Sequence, residues 1–275
     1  MGGIIPRDGH VMIIGAMKCG TTALFSYLGD HPQICPARKK ETEFFSSQKS
    51  CVVKTDIYED LFLFDSDRHQ YALESSINYT KFPEHAGVPK KIFDYGIQPK
   101  FIYLVRNPFD RIESHYNYMR YITYGEWKLK INDSHLINIS NYYLQLEQYR
   151  KLFPIKDMLI LDLDEMKQNL IFTLKKVYQF LGVSQDCLPS SFAPINALPQ
   201  FSNLEIQLRR PGIKGFLRYT PKWLKKAGES VMRGLSNSGI QALTADEKSF
   251  VYSSLRDDMK KLQTNYGVDV QRWGF

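Results

Sequence analysis

The first residues with an evident chemical use form a glycine-flanked loop near the start of the chain. Gly15 and Gly20 are separated by four residues, and the loop follows the apolar run HVMII and precedes the stretch TTALFSYLGD. A strand, such a loop and a helix N-terminus form an anion site, because backbone N–H groups and the positive end of the helix face the loop. Lys18 lies inside the loop, and the hydroxyls of Thr21 and Thr22 are further donors. The spacing predicts a phosphate-binding loop.

The position of the lysine argues against a metal-bridged triphosphate. Loops that bind nucleoside triphosphates have the pattern G-x-x-x-x-G-K-[ST], with lysine directly after the second glycine. This chain has Thr21 there. Such a site also needs an Asp at a strand end to hold Mg²⁺. Two apolar runs end in ESS and VRN, and Asp162 and Asp164 come late in the chain. A P-loop kinase is therefore disfavoured, although it stays an alternative.

A second candidate anion site follows the apolar run KFIYLVR. Arg106 ends this run, and Ser114 lies eight residues later on a predicted helix. A guanidinium group is planar and binds two phosphate oxygens at once. The alternatives are a structural salt bridge for Arg106 and a surface hydroxyl for Ser114.

Two acidic residues lie close together in the charged stretch RKKETE. Glu41 and Glu43 are two positions apart, and side chains two apart on an extended segment face the same side. Two close carboxylates raise the pKa of one of them, which suits a general base. A solvated loop is the alternative.

Composition and charge limit the class of protein. The chain has 275 residues, of which 43% are hydrophobic and 24% charged, and its formal net charge is +7. These values are ordinary for a globular protein. Part of the basic excess lies in RRPGIKGFLRYTPKWLKK, a stretch without acidic residues. An anionic membrane, a nucleic acid or a polyanionic ligand would suit this charge. We expect no nucleic-acid partner, because no recognition motif accompanies the charge.

Several further features bear on location and cofactors. No run approaches the roughly 18 apolar residues of a membrane span. The first ten residues lack the basic start and apolar run of a signal peptide. The histidines show no metal-ligand spacing, and there is no C-x-x-C pair among the four cysteines, which are Cys19, Cys35, Cys51 and Cys187. We expect a cytoplasmic protein without a transmembrane segment and without a bound metal.

Strand and helix patterns alternate along the chain. Apolar runs predict strands over residues 10–14, 70–76, 100–106 and 157–163. Other stretches predict helices from residue 21, over residues 110–122, 141–153 and 164–183, and from Thr244, where Glu247 completes a capping box. The alternation predicts an α/β fold, with a mainly parallel sheet flanked by helices on both faces.

We expect a single domain over residues 1–275. Ligands bind beyond the carboxyl ends of the strands in such sheets, so the loops after Ile14, Ser76 and Arg106 should share one face. Residues 186–239 are rich in Pro, Gly and basic residues and have no strong period, which predicts a lid or substrate-binding segment. A monomer and a dimer are both compatible with the sequence.

The motifs described above also resemble those of a known family. IIGAMKCGTTALFSYLGDHPQI is similar to a 5′-phosphosulfate loop, KKETEFF to a segment that carries a catalytic base, and FIYLVRNPFDRIESHY to a 3′-phosphate motif. All three belong to the sulfotransferases that use 3′-phosphoadenosine-5′-phosphosulfate (PAPS). The chain most resembles the branch of glycosaminoglycan sulfotransferases and their bacterial relatives. The resemblance runs from about His10 to Val183, with a weaker C-terminal tail, and implies the P-loop sulfotransferase fold.

The resemblance implies roles for individual residues. Glu41 corresponds to the general base that deprotonates the acceptor. The loop would hold the 5′-phosphosulfate through Lys18, Cys19, Gly20, Thr21 and Thr22, with Lys18 stabilising the charge of the leaving phosphate. Arg106 and Ser114 correspond to the residues that hold the 3′-phosphate. The basic segment adds three candidates for PAPS binding, which are Arg209, Arg210 and Lys214. No metal is required.

The chain departs from the family pattern where the acceptor would bind. Position 43 is Glu where many relatives have His or Gln, and Ser75 replaces a lysine found in several glycan sulfotransferases. Glu43, Glu74 and Ser75 are candidates for contacts with the acceptor, and Glu74 is alternatively a partner of a loop cation. Tyr116, in the aromatic run YNYMRYITYGEW, is a candidate for the acceptor pocket.

The acceptor class stays open at the level of sequence. We expect a hydroxyl on a carbohydrate, or on a small lipid or polyketide-type metabolite. A protein that binds the desulfated nucleotide PAP without turnover is an alternative.

Overall fold

A parallel sheet forms the centre of the protein. The computed structural model describes residues 4–46, 57–189 and 240–275. Within them the sheet has five strands in the order β2-β3-β1-β4-β5, and every neighbouring pair is parallel. The strands are β1 (His10–Gly15), β2 (Ile34–Pro36), β3 (Tyr71–Ser75), β4 (Lys100–Val105) and β5 (Met158–Asp162). The predicted α/β class is confirmed.

Helices cover both faces of this sheet. All six residues of β1 are buried, and so are the last five of β4. Because successive side chains of a strand point to opposite faces, burial of every residue means that both faces are covered. The helices described are α1 (Thr21–Gly29), α2 (Val88–Tyr95), α3 (Pro108–Ile122), α4 (Ser134–Asn138), α5 (Tyr142–Arg150), α6 (Leu163–Gln168), α7 (Leu170–Leu181) and α8 (Ala245–Tyr266).

The edge strand β2 was not predicted. It has three residues and ends at Pro36, and it pairs with β3 with Cys35 opposite Ala72. A proline cannot donate to a ladder, so it is confined to edge strands or strand ends. The run is also too short to show an alternating pattern, so it can be recognised only from its pairing.

The single helix predicted over residues 164–183 is wrong: the structure has two helices there, separated at Asn169. This residue has φ −144° and ψ 75°, and its side chain accepts a hydrogen bond of 3.1 Å from the Phe172 N–H. Asn competes with helical hydrogen bonds by capping the following turn. The apolar spacing spans the break, which is why it suggested one helix. Gly182, in a left-handed conformation, ends α7 as predicted.

The capping box predicted for the last helix is confirmed. Thr244 and Glu247 make the reciprocal side-chain and backbone contacts of that motif at the start of α8. The same helix packs on α5, where the Asp258 carboxylate accepts from the Tyr143 and Leu144 N–H groups at 3.0 and 2.8 Å. These contacts fix the N-terminus of α5, whose Tyr142 lies beside the candidate site.

The strand order places a crevice beside β1. β3 and β4 flank β1 on opposite sides, so the loops that follow these two strands separate at the carboxyl end of β1. Ligands bind at such points in open α/β sheets.

Within the described ranges, no helix combines the length and the apolar character of a membrane span. The expected lid falls mainly on residues 190–239, outside the described residues, and the single-domain organisation stays a prediction.

Gly15 is required where β1 enters its loop. Its φ is +145°, and a Cβ placed on it would lie 2.0 Å from the Thr80 hydroxyl. That hydroxyl donates a 2.7 Å hydrogen bond to the Ile14 carbonyl, so it is not free to move away.

We expect Gly15→Ala to lower the free energy of unfolding by more than about 3 kcal/mol, because backbone strain and a steric clash add together. Gly87→Ala is the matched control, since Gly87 has φ +82° but open space around a Cβ; its cost should be about 1–2 kcal/mol. Urea denaturation of the two variants measures the difference, and equal losses would contradict the proposed clash.

Candidate active site

The loop after β1 is a tight turn that opens onto α1. Gly20, the residue before the helix, has φ 88°, and Lys18 has φ 70°. Both values lie in the left-handed region, which a lysine adopts only under constraint. The first N–H groups of a helix have no partner within it. Those at the start of α1 are therefore candidates for binding an anion, and the phosphate site at this loop stays a prediction.

Lys18 lies half-buried in a positively charged environment. Its ammonium is 4.2 Å from the centre of the Tyr118 ring, and its carbonyl accepts a 3.4 Å hydrogen bond from Arg106. Burial, with a smaller contribution from the Arg106 charge, lowers the pKa of Lys18 to about 8. A bound anion would favour the charged form of this lysine.

One cleft brings the predicted motifs together. It has a volume of about 860 Å³ at the carboxyl edge of the sheet. The predicted residues that line it are Lys18, Gly20, Thr21, Thr22, Glu41, Arg106 and Ser114. These residues come from three stretches that are far apart in the sequence.

Cys19 supports the loop instead of lining the cleft. Its N–H donates to the Ala16 carbonyl at 3.1 Å, and its buried thiol lies 3.9 Å from the Tyr142 hydroxyl. Burial raises the pKa of this thiol to about 11. Tyr142 also donates to the Arg106 carbonyl at 2.8 Å, so one tyrosine contacts both the loop and the end of β4. The expectation that Cys19 binds the donor directly is therefore not supported by its contacts.

Glu41 is held at the cleft by the end of β3. Its N–H donates to the Ser75 carbonyl at 2.9 Å, and its carboxylate Oε2 accepts from the Ile77 N–H at 2.8 Å. The other oxygen, Oε1, pairs with the ammonium of Lys40. Both Lys40 and Glu41 line the cleft.

The extended segment expected around Glu41 and Glu43 is wrong. Glu41 has φ 60° and Glu43 has φ 54°, so both residues adopt the left-handed conformation. Glu43 is not among the residues that line the cleft, and its carboxylate accepts a hydrogen bond from the Ser46 hydroxyl. Burial raises the pKa of Glu43, and the Glu41 charge adds to that rise. The two carboxylates thus influence each other electrostatically although they have different surroundings.

None of the four predicted acceptor residues lines the cleft, Glu43 included. Glu74 and Ser75 are buried, at 0% and 1% exposure, which corrects the expectation of a direct acceptor contact for Glu74. Tyr116 packs partly buried against the core. Tyr118 lines the cleft instead. It lies four residues after Ser114, so the helical period places the two side chains on one face of α3.

Other cleft residues had no signal of their own in the sequence. Lys40 and Asn117 line it, and Asn117 exchanges hydrogen bonds of 2.7 and 2.8 Å with the backbone of Gln241. This pairing holds the neighbouring Ile240 at the wall of the cleft. Arg209, Arg210 and Lys214 lie outside the described residues.

The late aspartate that a kinase would need is engaged elsewhere. Asp162 accepts from the Asp164 and Glu165 N–H groups at the start of α6, and its Oδ2 lies 2.8 Å from the Arg272 guanidinium. Among the described side chains, no three His, Cys, Asp or Glu residues cluster as metal ligands.

The fold is that of a P-loop-type α/β protein, and the cleft is its candidate anion site. Residues 8–205 match the family model of the sulfotransferase domain. The chain therefore belongs to the sulfotransferase domain family, as the sequence motifs predict.

Relatives in this family agree with the assignment. The chain is 26% identical over 196 residues to bifunctional heparan sulfate N-deacetylase/N-sulfotransferase 4 of Mus musculus. The matched region covers 63% of this chain and 22% of that protein. The chain is 28% identical over 187 residues to heparan sulfate glucosamine 3-O-sulfotransferase 5 of Mus musculus, covering 62% and 53%. The chain thus spans only a part of the length of these relatives.

A solved structure agrees on the fold. The crystal structure of a sulfotransferase from Alicyclobacillus acidocaldarius superposes with a TM-score of 0.65 at 20% identity, and the match covers 98% of this chain and 100% of that one. At this level of identity the likeness extends to the architecture and not to the substrate.

The lowered pKa of Lys18 predicts how anion binding depends on pH. The lysine is charged below a pH of about 8 and loses its charge as the pH rises through that value. The affinity for pyrophosphate should therefore fall roughly tenfold between about pH 7 and pH 9.5, which corresponds to about 1.4 kcal/mol of charge interaction. Isothermal titration calorimetry measures this change.

Lys18→Arg is the control, because arginine stays protonated throughout this range. Changes in the protonation of pyrophosphate itself affect both proteins equally. The variant should lose less affinity than the wild type on the same pH change, whereas identical pH profiles would show that Lys18 does not titrate in this range.

Proposed function

We propose that this chain transfers the sulfuryl group of PAPS to a hydroxyl group of an acceptor. The observation that carries the proposal is the convergence of three separate motifs on one cleft of about 860 Å³. Lys18 follows β1, Arg106 follows β4, and Glu41 lies between β2 and β3. The three supply an anion site, a second anion site and a carboxylate.

The cleft suits a donor with two anionic ends. The N-terminus of α1, Lys18 and the hydroxyls of Thr21 and Thr22 would bind the 5′-phosphosulfate. Arg106 and Ser114 would bind the 3′-phosphate. The Arg106 guanidinium makes only long contacts among the described residues, at 3.4 Å to the Lys18 carbonyl and 3.8 Å to Asp110. It therefore retains capacity for the shorter, charge-assisted hydrogen bonds that a phosphate accepts.

The placement of the carboxylates favours Glu41 as the base. Glu41 lines the cleft, and the Ile77 N–H fixes the direction of its carboxylate. Glu43 lies away from the cleft wall and receives a hydrogen bond from Ser46. A base must lie within hydrogen-bond reach of the proton that it removes.

The transfer follows from these positions. The acceptor oxygen attacks sulfur in line, and the bond between sulfur and the bridging phosphate oxygen breaks. Glu41 takes the proton of the acceptor hydroxyl, and the 5′-phosphate of PAP leaves with the bonding electrons. The ammonium of Lys18 stabilises the negative charge that grows on the leaving oxygen.

For the acceptor we propose a carbohydrate hydroxyl, with a small lipid or polyketide-type metabolite as the second class. Support for a carbohydrate comes from the names of the two relatives, both of which act on heparan sulfate. Tyr118 also lines the cleft, where the Lys18 ammonium lies 4.2 Å from the centre of its ring. A transfer assay with [³⁵S]PAPS across both acceptor classes tests this choice.

Nucleotide selectivity gives the first test of the donor. PAP should bind without added metal, in the presence of EDTA, and at least about tenfold more tightly than ATP with Mg²⁺. The reason is that the cleft offers two phosphate sites and its loop lacks the lysine that contacts a triphosphate. Fluorescence or calorimetric titration measures both affinities, and a preference for ATP with Mg²⁺ would reject the proposed donor.

Arg106→Ala identifies the group that this arginine binds. Losing a charge-assisted hydrogen bond should weaken PAP binding by about tenfold to a hundredfold, an estimate from about 1.5–3 kcal/mol. Adenosine 5′-monophosphate lacks the 3′-phosphate, so the variant should bind it with less than about a threefold loss of affinity relative to the wild type. Equal losses for the two nucleotides would place Arg106 away from the 3′-phosphate.

Glu41→Gln should lower kcat of sulfuryl transfer by about 10²–10⁴-fold, the usual effect of removing a general base. PAP affinity should stay nearly constant, because the base contacts the acceptor and not the nucleotide. Glu43→Gln is the matched control and should lose less than about tenfold. Steady-state kinetics with radiolabelled PAPS gives both values, and a larger loss for Glu43→Gln would move the role of base to that residue.

A further inference from the structure

Glu74 is a buried carboxylate that the proposed reaction does not use. It lies in β3 opposite Met12 of the central strand, and it has no exposed surface. Among the described residues, no Lys, Arg or His forms an ion pair with it. A buried carboxylate without a cation is costly unless hydrogen-bond donors surround it. The surroundings of Glu74 should therefore supply such donors.

Four hydroxyl groups donate to this carboxylate. Oε1 accepts from Thr42, from Ser76 at 2.7 Å and from Tyr79 at 2.8 Å. Oε2 accepts from Tyr58 at 2.8 Å. Burial raises the pKa of Glu74, and the hydrogen bonds from the four hydroxyls oppose that rise. In each of these contacts the hydroxyl directs its one proton toward Glu74. The lone pairs of these hydroxyl oxygens are left to face the surrounding chain.

Three consecutive backbone N–H groups use those lone pairs. The Glu43 N–H donates to Ser76 at 3.0 Å, the Phe44 N–H to Thr42 at 3.4 Å and the Phe45 N–H to Tyr79 at 3.2 Å. The acceptors are the same three hydroxyls that donate to Oε1 of Glu74. One carboxylate oxygen thus sets the hydrogen-bond direction for three successive residues of a loop.

This loop begins at the proposed base. Glu41 and Glu43 both have left-handed backbone conformations, which persist only where neighbouring contacts enforce them. The contacts of Glu41 with Ser75 and Ile77 hold the start of the loop. The three hydroxyls hold residues 43–45, on the other side of Thr42.

We propose that Glu74 is a positioning residue, which acts through Thr42, Ser76 and Tyr79 to hold residues 41–45 with Glu41 facing the cleft. Its effect on turnover rests on the proposed function, in which Glu41 is the base. Its effect on the loop does not, because these hydrogen bonds join residues of the chain itself.

Two tyrosines provide a matched pair of variants. Tyr58→Phe and Tyr79→Phe each remove one buried hydroxyl that donates to Glu74, but only the Tyr79 hydroxyl also accepts from the loop. Hydrogen exchange measured by mass spectrometry on the peptide containing residues 41–46 should become about tenfold faster in Tyr79→Phe. The reason is that the hydrogen bond lost from the Phe45 N–H is worth about a factor of ten. In Tyr58→Phe, which keeps this hydrogen bond, the exchange rate should stay within about twofold of the wild type.

Variants at position 74 test the carboxylate itself. In Glu74→Gln the amide oxygen can still accept from the three hydroxyls while its NH₂ group faces Tyr58, so exchange of this peptide should stay near the wild-type rate. Glu74→Leu removes the acceptor and should speed exchange as much as Tyr79→Phe or more. If the Leu variant does not fold, the tyrosine pair decides the question.

Kinetics complete the test. Tyr79→Phe should lower kcat of sulfuryl transfer about tenfold with PAP affinity unchanged, and Tyr58→Phe should not. Equal exchange rates in the two tyrosine variants would overturn the role of Glu74. If exchange differs as expected but Glu41→Gln retains wild-type kcat, the assignment of the base fails while the loop-positioning role stands.

Discussion

The structure depends on the parallel direction of its strands, because the carboxyl ends of all five described strands then lie at one edge of the sheet. The loop with Lys18 follows β1, the segment with Glu41 follows β2, and Ile77 and Arg106 follow β3 and β4. Parallel strands have this property whatever their sequence, because each crossover returns the chain to the opposite edge. Groups that are separated by many residues in the sequence therefore come together at this edge.

The cations near this edge lie close together, whereas each carboxylate there has its own partner. Lys18 and Arg106 lie close enough that the Arg106 charge contributes to the lowered pKa of the lysine, after burial. An anionic ligand would relieve this repulsion, so the energy of two close cations becomes available for binding. The carboxylates are separated from one another by their partners: Lys40 for Glu41, Ser46 for Glu43 and a group of hydroxyls for Glu74.

Sequence reasoning succeeded where local pattern determines structure. The loop around Lys18 and the strand end at Arg106 are each specified by neighbouring residues, since glycine spacing and apolar runs act over a few positions. The helix break at Asn169 and the short strand β2 were missed because a cap and a strand pairing override the apolar pattern there. Glu41 and Glu43 could not be distinguished from sequence, because left-handed backbone at both positions depends on contacts with β3. The burial of Glu74 likewise depends on residues from several segments.

The most direct measurement is a crystal structure of the protein with PAP bound. We predict that the 5′-phosphate lies within hydrogen-bond distance of Lys18 and of the first N–H groups of α1. The 3′-phosphate should contact Arg106 and Ser114, and the Glu41 carboxylate should face the space beyond the 5′-phosphate. A nucleotide whose two phosphates occupy other positions, or a complex in which Glu41 points away from that space, would contradict this prediction.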